Sequence, residues 1–153
     1  MGETMSEKMT GLTPAAVAAA TGGTYYGPED QKEITIASVT IDSRQVEKDS
    51  LFVAIKGQRV DGNRFVPGAY ESGALCCMST LPPQDDSVAY VQVESCEQAL
   101  KDVAEYYRSI CPARVIGITG SVGKTSTKEM MASVLSQRFA TLKTLGNFNN
   151  EIG

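Results

Sequence analysis

GITGSVGKTSTKE, residues 117–129, joins an apolar run to a segment of helical periodicity. The apolar run RVIGIT at 114–119 overlaps its start, and apolar side chains recur at helical spacing through residues 130–139. A continuous apolar run suits a buried parallel strand, and glycines at a strand-to-helix junction let backbone N–H groups converge on an anion. We therefore predict a strand, a glycine loop and a helix from Lys124 to Phe139, with FATLKT at 139–144 as a second strand.

The glycine loop carries groups that bind a nucleotide triphosphate. Lys124 can neutralise the β and γ phosphates, and the hydroxyl of Thr125 can ligate Mg²⁺. We predict these two as catalytic residues, Thr125 also as the metal ligand, and ATP and Mg²⁺ as cofactors. The predicted ATP contacts are Gly120, Ser121, Val122, Gly123, Lys124, Thr125 and Ser126.

The spacing of this loop is a near miss to the usual phosphate-loop pattern. GxxxxGK[ST] would place a glycine at the position of Ile118, whereas Gly117 lies one residue earlier. On the motif alone, a glycine-rich turn with a solvated lysine stays an alternative. The apolar run before the loop and the helical pattern after it favour the phosphate site.

The chain before this motif alternates between helical and β-type segments. One helix begins after Thr13 and ends at Gly22, a short one ends at Gly73, and one begins after Ser95 and ends at Pro112. The β-type runs lie at 33–41, 50–55, 74–79 and 88–93. This alternation predicts a mixed α/β domain that ends between residues 110 and 113.

Charge and cysteine usage exclude several classes of protein. With a net charge of −4, the chain has no positive field to gather nucleic acid or an anionic membrane. The cysteines at 76, 77, 96 and 111 lack CxxC spacing, so we interpret them as small apolar residues of a reducing compartment; on a strand, 76 and 77 would face opposite sides. No segment approaches ~18 continuous apolar residues, so we expect no membrane span and a cytoplasmic protein.

Two separated segments resemble the Mur ligases, the ATP-dependent amide-forming enzymes of peptidoglycan precursor synthesis. TGSVGKTSTKEM at 119–130, followed by TLGNFNNEIG at 144–153, is similar to the family's nucleotide site, whose glycines stand as Gly120 and Gly123 do here. VTIDSRQVEKDSLFVAIKGQRVDGNRF at 39–65 resembles the N-terminal domain that holds the uridine diphosphate end of the substrate. The likeness extends over about residues 10–153.

The resemblance implies a set of substrate-binding residues. Ser43 and Arg44 would contact the uridine or its diphosphate, because a serine can bond a base edge and an arginine can fork onto phosphate oxygens. The neighbouring loop would contribute Lys56, Gly57, Arg59 and Asp61, and the space between nucleotide and sugar-peptide would be lined by Asn147 and Asn150. One departure from the family pattern is Asn63, where relatives often carry histidine.

The resemblance also implies a reaction. The form of GNFNNEIG is similar to the family member that joins D-alanyl-D-alanine to UDP-N-acetylmuramoyl-tripeptide through an acyl phosphate. Another Mur ligase that adds an amino acid, a different P-loop kinase or GTPase, and a non-catalytic UDP-sugar-binding module are the alternatives. A kinase or GTPase should show a strand ending in a magnesium-binding aspartate or a base-specificity motif, and neither occurs in the sequence.

By the same likeness, the chain would hold residues 1–111 as a UDP-substrate-binding domain and residues 112–153 as the beginning of a P-loop ATPase domain. Family members continue well past the asparagine loop. We therefore expect the 153 residues to bind the UDP end without turnover. Two strands and one helix cannot cover an apolar sheet face, so we expect residues 112–153 to be loosely ordered or paired with another chain.

Overall fold

The chain is divided into two compact units, Met1–Cys111 and Pro112–Gly153, in a computed structural model that describes residues 9–57 and 60–144. The first unit holds a five-stranded sheet with the order β1-β5-β4-β3-β2. Strands β2 to β5 run parallel to their neighbours, and β1 pairs antiparallel with β5. The strands are β1 Thr24–Tyr26, β2 Val39–Thr40, β3 Leu51–Val53, β4 Cys76–Ser79 and β5 Ala89–Gln92. The predicted mixed α/β class is confirmed.

Three α-helices of this unit begin and end where local chemistry directs. In α1, Pro14–Thr21, the Thr13 hydroxyl accepts a bond from the N–H of Ala16 at 3.1 Å, and Gly22 ends the helix with φ 63°. In α3, Cys96–Ile110, the Ser95 hydroxyl caps the N–H of Gln98 at 3.2 Å. The short α2 is Val66–Glu71. All three predicted helices are confirmed.

The apolar residues of the sheet alternate between its two faces. Cys76 packs in a core cluster with Leu51 and Val53, whereas Cys77 packs with Phe52 and Tyr90 in a second cluster. Opposite faces for the two cysteines were expected from strand geometry. Burial raises the pKa of the Cys77 thiol to about 12, so this residue is a packing group and not a nucleophile.

In this unit one predicted strand is much shorter than expected, and one observed strand is not predicted. Within the run at 33–41 only β2 forms, because the backbone of Ile36 bonds to a loop and not to a strand. The Ile36 N–H donates to the Leu12 carbonyl at 2.8 Å, and the Ile36 carbonyl accepts from the Met9 N–H at 3.0 Å. The unpredicted strand is β1. It is three residues long, follows a glycine pair and shows no alternation of polar and apolar residues. Its strand geometry comes from pairing with β5, a non-local contact.

In the second unit, α4 spans Lys124–Leu135. Its predicted start is confirmed; its predicted extension to Phe139 is wrong, since residues 136–138 form a turn and Phe139 lies in a bend. The strands predicted at 114–119 and 139–144 are also wrong: residues 112–144 contain no strand, and none of them is buried. Val115 is 71% exposed and Ile116 55%, because an apolar run forms a strand only when another strand supplies a hydrogen-bonded ladder.

None of the helices in residues 9–57 and 60–144 has the length and apolar character required to cross a bilayer.

Candidate functional site

The glycine loop of the second unit has the backbone that a phosphate cradle requires. Gly120 has φ 150° and Gly123 has φ 80°, conformations that residues with a side chain rarely adopt. Between them, Ser121 and Val122 form an exposed bend, and Gly123 is the N-cap of α4. The loop thus leads directly into a helix N-terminus, where free N–H groups and the helix dipole favour an anion.

The functional side chains of this loop lie in the first turn of α4. Lys124 folds back over the loop and donates from Nζ to the Gly120 carbonyl at 2.6 Å. Thr125 and Ser126 follow in the same turn, so that their backbone N–H groups are among those without an intrahelical partner. Lysine, hydroxyls and N–H donors are therefore brought together at one end of the helix.

Two further side chains of α4 fasten the segment that follows it. Lys128 donates from Nζ to the Thr144 carbonyl at 2.7 Å, and Glu129 forms an ion pair with Lys143. These contacts join the helix to residues 143–144, just before the predicted asparagine loop. Asn147 and Asn150 themselves lie outside the described residues. Lys128 and Glu129 are not among the residues predicted from sequence, and their only signal there is their position in α4 shortly after the glycine loop.

In the first unit, Ser43 and Arg44 lie in a 3₁₀ turn, Ser43–Gln45, which is separated from the end of β2 by two residues. Asp42 caps this turn, accepting from the Arg44 N–H at 3.0 Å. The same carboxylate receives the Arg44 guanidinium through Nε at 2.9 Å and through a second nitrogen at 2.7 Å. This contact lowers the pKa of Asp42 to about 2, so the pair stays ionised and the guanidinium has a fixed direction.

An open hollow of about 510 Å³ adjoins this turn. Its lining comes from the end of β2 and the turn: Ser38, Val39, Thr40, Arg44, Gln45, Val46 and Glu47. The side chain of Arg44 is 87% exposed, so its remaining N–H donors are accessible from solvent. The hollow therefore presents polar groups to a ligand together with the side chains of Arg44 and Glu47.

The second predicted loop follows β3. Lys56 and Asp61 form an antiparallel bridge, and the N–H of Gly57 donates to the Val60 carbonyl at 3.0 Å, so these residues pair with each other across the loop. Arg59 lies outside the described residues. The backbone of Gly62 lies so close to that of Ile55 that a Cβ at residue 62 would be 2.5 Å from the Ile55 carbonyl oxygen.

Asp61 is held in place by Asn63. Its Oδ1 accepts from the backbone N–H of Asn63 at 3.0 Å and from the side-chain amide at 2.7 Å. These bonds, with smaller contributions from Lys56 and Arg64, keep the pKa of Asp61 below its ordinary value. The sequence marks Asn63 only as a departure from the family pattern and does not predict these bonds.

The two loops lie at one edge of the sheet. They follow β2 and β3, which are adjacent and parallel, and β4 continues the same parallel series. The carboxyl ends of parallel strands meet at the same edge, which is where open α/β sheets bind ligands. Residues 42–44 and residues 56–57, which are separated by eleven residues in the chain, therefore lie at the same edge of the sheet.

A family model matches part of each of the two units. Residues 35–108 match the Mur ligase family catalytic domain, and residues 118–153 match the Mur ligase middle domain. The chain belongs to the Mur ligase family.

Among its relatives, the chain is similar to the UDP-N-acetylmuramoyl-tripeptide–D-alanyl-D-alanine ligase of Bacillus subtilis, with 38% identity over 86% of this chain and 29% of the relative. Its structure is similar to MurF of Acinetobacter baumannii, with a TM-score of 0.74, 34% identity and coverage of 92% of this chain and 31% of the other. A third relative is the MurF ligase of Thermotoga maritima, solved in complex with ADP, with a TM-score of 0.59, 33% identity, and coverage of 73% of this chain and 26% of the other. The chain spans about three tenths of the length of the relatives it matches.

Proposed function

We propose that this chain supplies the UDP-substrate-binding domain and the nucleotide loop of an ATP-dependent ligase that joins D-alanyl-D-alanine to UDP-N-acetylmuramoyl-tripeptide. The observation that carries the proposal is the arrangement of the first unit, in which the loops with Arg44 and with Lys56 and Asp61 follow adjacent parallel strands. The names of the similar ligases favour this member of the family over one that adds a single amino acid.

The proposed role of the first unit, residues 1–111, is to hold the uridine diphosphate end. Arg44 would bond the diphosphate through the donors that Asp42 leaves accessible, since guanidinium N–H groups match phosphate oxygens. Ser43 would bond the uracil edge or the diphosphate. From the next loop, Lys56, Gly57, Arg59 and Asp61 would contact the same ligand.

The proposed role of residues 112–153 is to begin the ATP site. The ATP contacts would be Gly120, Ser121, Val122, Gly123, Lys124, Thr125 and Ser126. The glycines with positive φ and the helix N-terminus fit a triphosphate, and the Thr125 hydroxyl in the first turn is suited to be an oxygen ligand of Mg²⁺. Bound Mg²⁺ would neutralise charge on the transferring phosphoryl group. The ADP in the Thermotoga maritima relative supports this assignment.

The reaction needs positioning and charge neutralisation rather than a protein nucleophile. The γ-phosphoryl of ATP would pass to the terminal carboxylate of the tripeptide, giving an acyl phosphate and ADP. The amine of D-alanyl-D-alanine would then attack the carbonyl carbon of the acyl phosphate, and the C–O bond to phosphate would break as the amide forms. Lys124 would leave the Gly120 carbonyl to face the β and γ phosphates, and Asn147 and Asn150 would line the space toward the peptide.

Calorimetric titration of the 153-residue chain with UDP-N-acetylmuramoyl-tripeptide tests the first part of the proposal. The parent should bind saturably, and Arg44→Ala should weaken binding by roughly tenfold or more, because a charged hydrogen-bond donor to phosphate is lost. Arg108→Ala is the matched control, since Arg108 bonds only the nearby Cys111 carbonyl among the described residues. A folded parent that does not bind, or equal binding by the Arg44 variant, would contradict the proposal.

A second candidate is a UDP-sugar-binding module without catalysis. The absence of any buried residue in 112–144 favours it for the isolated chain, because a phosphate loop needs a packed support to stay in place. ATP with Mg²⁺ separates the two candidates. Saturable ATP binding that Lys124→Ala weakens favours the ligase site, whereas binding of the UDP substrate alone favours the module.

A further inference from the structure

Asn63 connects the loop after β3 to the end of β4. Its amide nitrogen donates to Oδ1 of Asp61 at 2.7 Å, and its amide oxygen accepts from the hydroxyl of Ser79. Ser79 is fully buried, whereas Asn63 and Asp61 are half-buried at the edge. One amide group therefore links a candidate ligand contact to a fixed point in the sheet.

The buried end of this connection is itself held by further bonds. The Ser79 hydroxyl accepts from the N–H of Leu81 at 3.1 Å, and the Leu81 carbonyl accepts from the Tyr90 hydroxyl at 2.8 Å. Tyr90 lies on β5 and is only 4% exposed. A chain of hydrogen bonds thus runs from the core of the sheet to the carboxylate of Asp61, and it leaves that carboxylate little freedom of direction.

We propose that Asn63 is a positioning residue for the binding of the uridine diphosphate end, acting through Asp61. The inference rests on the proposed function. Both bonds from Asn63 reach Oδ1 of Asp61, and within the described residues no hydrogen bond reaches Oδ2. Oδ2 is therefore available to accept a hydrogen bond from a ligand hydroxyl or imide N–H, and the proposed effect of Asn63 on the ligand is exerted through Asp61.

An amide is the group this position requires. Asparagine donates on one side and accepts on the other, so it satisfies Asp61 and Ser79 together. Alanine does neither. Aspartate could still accept from Ser79, but it would set a second carboxylate against Asp61, with Lys56 and Arg64 as the nearby cations and Tyr90 as the titratable group beside Ser79.

The test is calorimetric titration of the 153-residue chain with UDP-N-acetylmuramoyl-tripeptide at pH 8, with the folded state of each variant checked by circular dichroism. Asn63→Ala should raise Kd roughly tenfold, as expected when a hydrogen bond to a charged group is lost. Ser79→Ala should also raise Kd, because it removes the hydroxyl that donates to the Asn63 amide oxygen. Ser72→Ala is the matched control, because Ser72 is the exposed C-cap residue after α2 and its hydroxyl donates to the Gly68 carbonyl; the Kd of this variant should equal that of the parent.

Asn63→Asp supplies a readout that a purely structural role would not give. At pH 8 two carboxylates repel and binding should be weak. As the pH falls to 5, one shared proton restores a donor between them, so the ratio of the variant's Kd to the parent's should fall toward one. The comparison is made at each pH on samples shown to be folded.

The outcomes separate the two proposals. If the folded parent does not bind the UDP substrate, both the proposed function and the role of Asn63 are overturned. If the parent binds and folded Asn63→Ala binds as tightly, the role of Asn63 alone is overturned. Should Asn63→Ala not fold, Asn63→Asp decides: a Kd ratio that stays constant between pH 8 and pH 5 overturns the positioning role.

Discussion

Gly62 shows how closely the backbone constrains the loop after β3. A Cβ at this position would lie 2.5 Å from the Ile55 carbonyl oxygen and 2.9 Å from its nitrogen, and both are backbone atoms that cannot rotate away. We expect Gly62→Ala to lower the free energy of unfolding by about 1–3 kcal/mol, the usual cost of overpacking. Urea unfolding followed by circular dichroism measures the change.

Gly68 provides the control for this prediction. It lies inside α2, and a Cβ there would meet nothing within 4 Å. Gly68→Ala should therefore raise stability by up to about 1 kcal/mol through helix propensity. Equal effects of the two substitutions would show that the close approach at Gly62 does not exist in solution.

The Asp42–Arg44 pair has a pH signature. The pKa of Asp42 is lowered from 3.8 to about 2, first by the guanidinium and then by the N–H of Arg44. In Arg44→Ala the pKa should rise toward its ordinary value but stay below it, because the backbone bond remains. Carboxyl NMR titration measures this, with Arg64→Ala as a control that leaves the value near 2. An unchanged Asp42 in Arg44→Ala would contradict the observed pairing.

The sign of the stability effect follows from the same shift. Because the folded pKa is lower than the unfolded one, the pair's contribution is present at neutral pH and is lost as the pH falls from about 4 to about 2. Both partners are solvent-accessible, so the change in unfolding free energy should be small. The pair matters for the direction of Arg44 rather than for stability.

At the scale of elements, residues that cap or end a helix made the helices predictable, and non-local pairing limited the prediction of strands. Thr13, Gly22 and Ser95 act through bonds within a few residues, so their pattern in the sequence is sufficient. β1 depends on β5, a partner strand far away in the chain. The run at 114–119 has no partner strand among the described residues. The loops of the candidate site were recognisable, but the Asn63–Ser79 contact spans 16 residues and leaves no local pattern.

The cap of α3 allows a direct test at this scale. Ser95→Ala removes the side-chain acceptor of the Gln98 N–H and should lower the free energy of unfolding by about 1 kcal/mol. The helix buries Cys96, Ala99 and Val103 against the sheet, so fraying of its first turn reaches the core. Ser109→Ala, in the exposed last turn, should change stability by less than about 0.5 kcal/mol. Similar losses in both variants would argue against a specific cap.

At the scale of the whole molecule, the two units should contribute very differently to cooperative unfolding. Every buried residue in the described part of the chain lies between Leu12 and Val103, and none lies in residues 112–144. The urea m-value scales with the surface exposed on unfolding, so it should be nearly the same for residues 1–111 as for the 153-residue chain. The unfolding midpoint and the affinity for UDP-N-acetylmuramoyl-tripeptide should also be unchanged, since Ser43, Arg44, Lys56 and Asp61 all belong to Met1–Cys111. A clearly smaller m-value for the shorter chain would mean that residues 112–153 bury surface in solution, and loss of its cooperative transition would mean that the first unit does not fold alone.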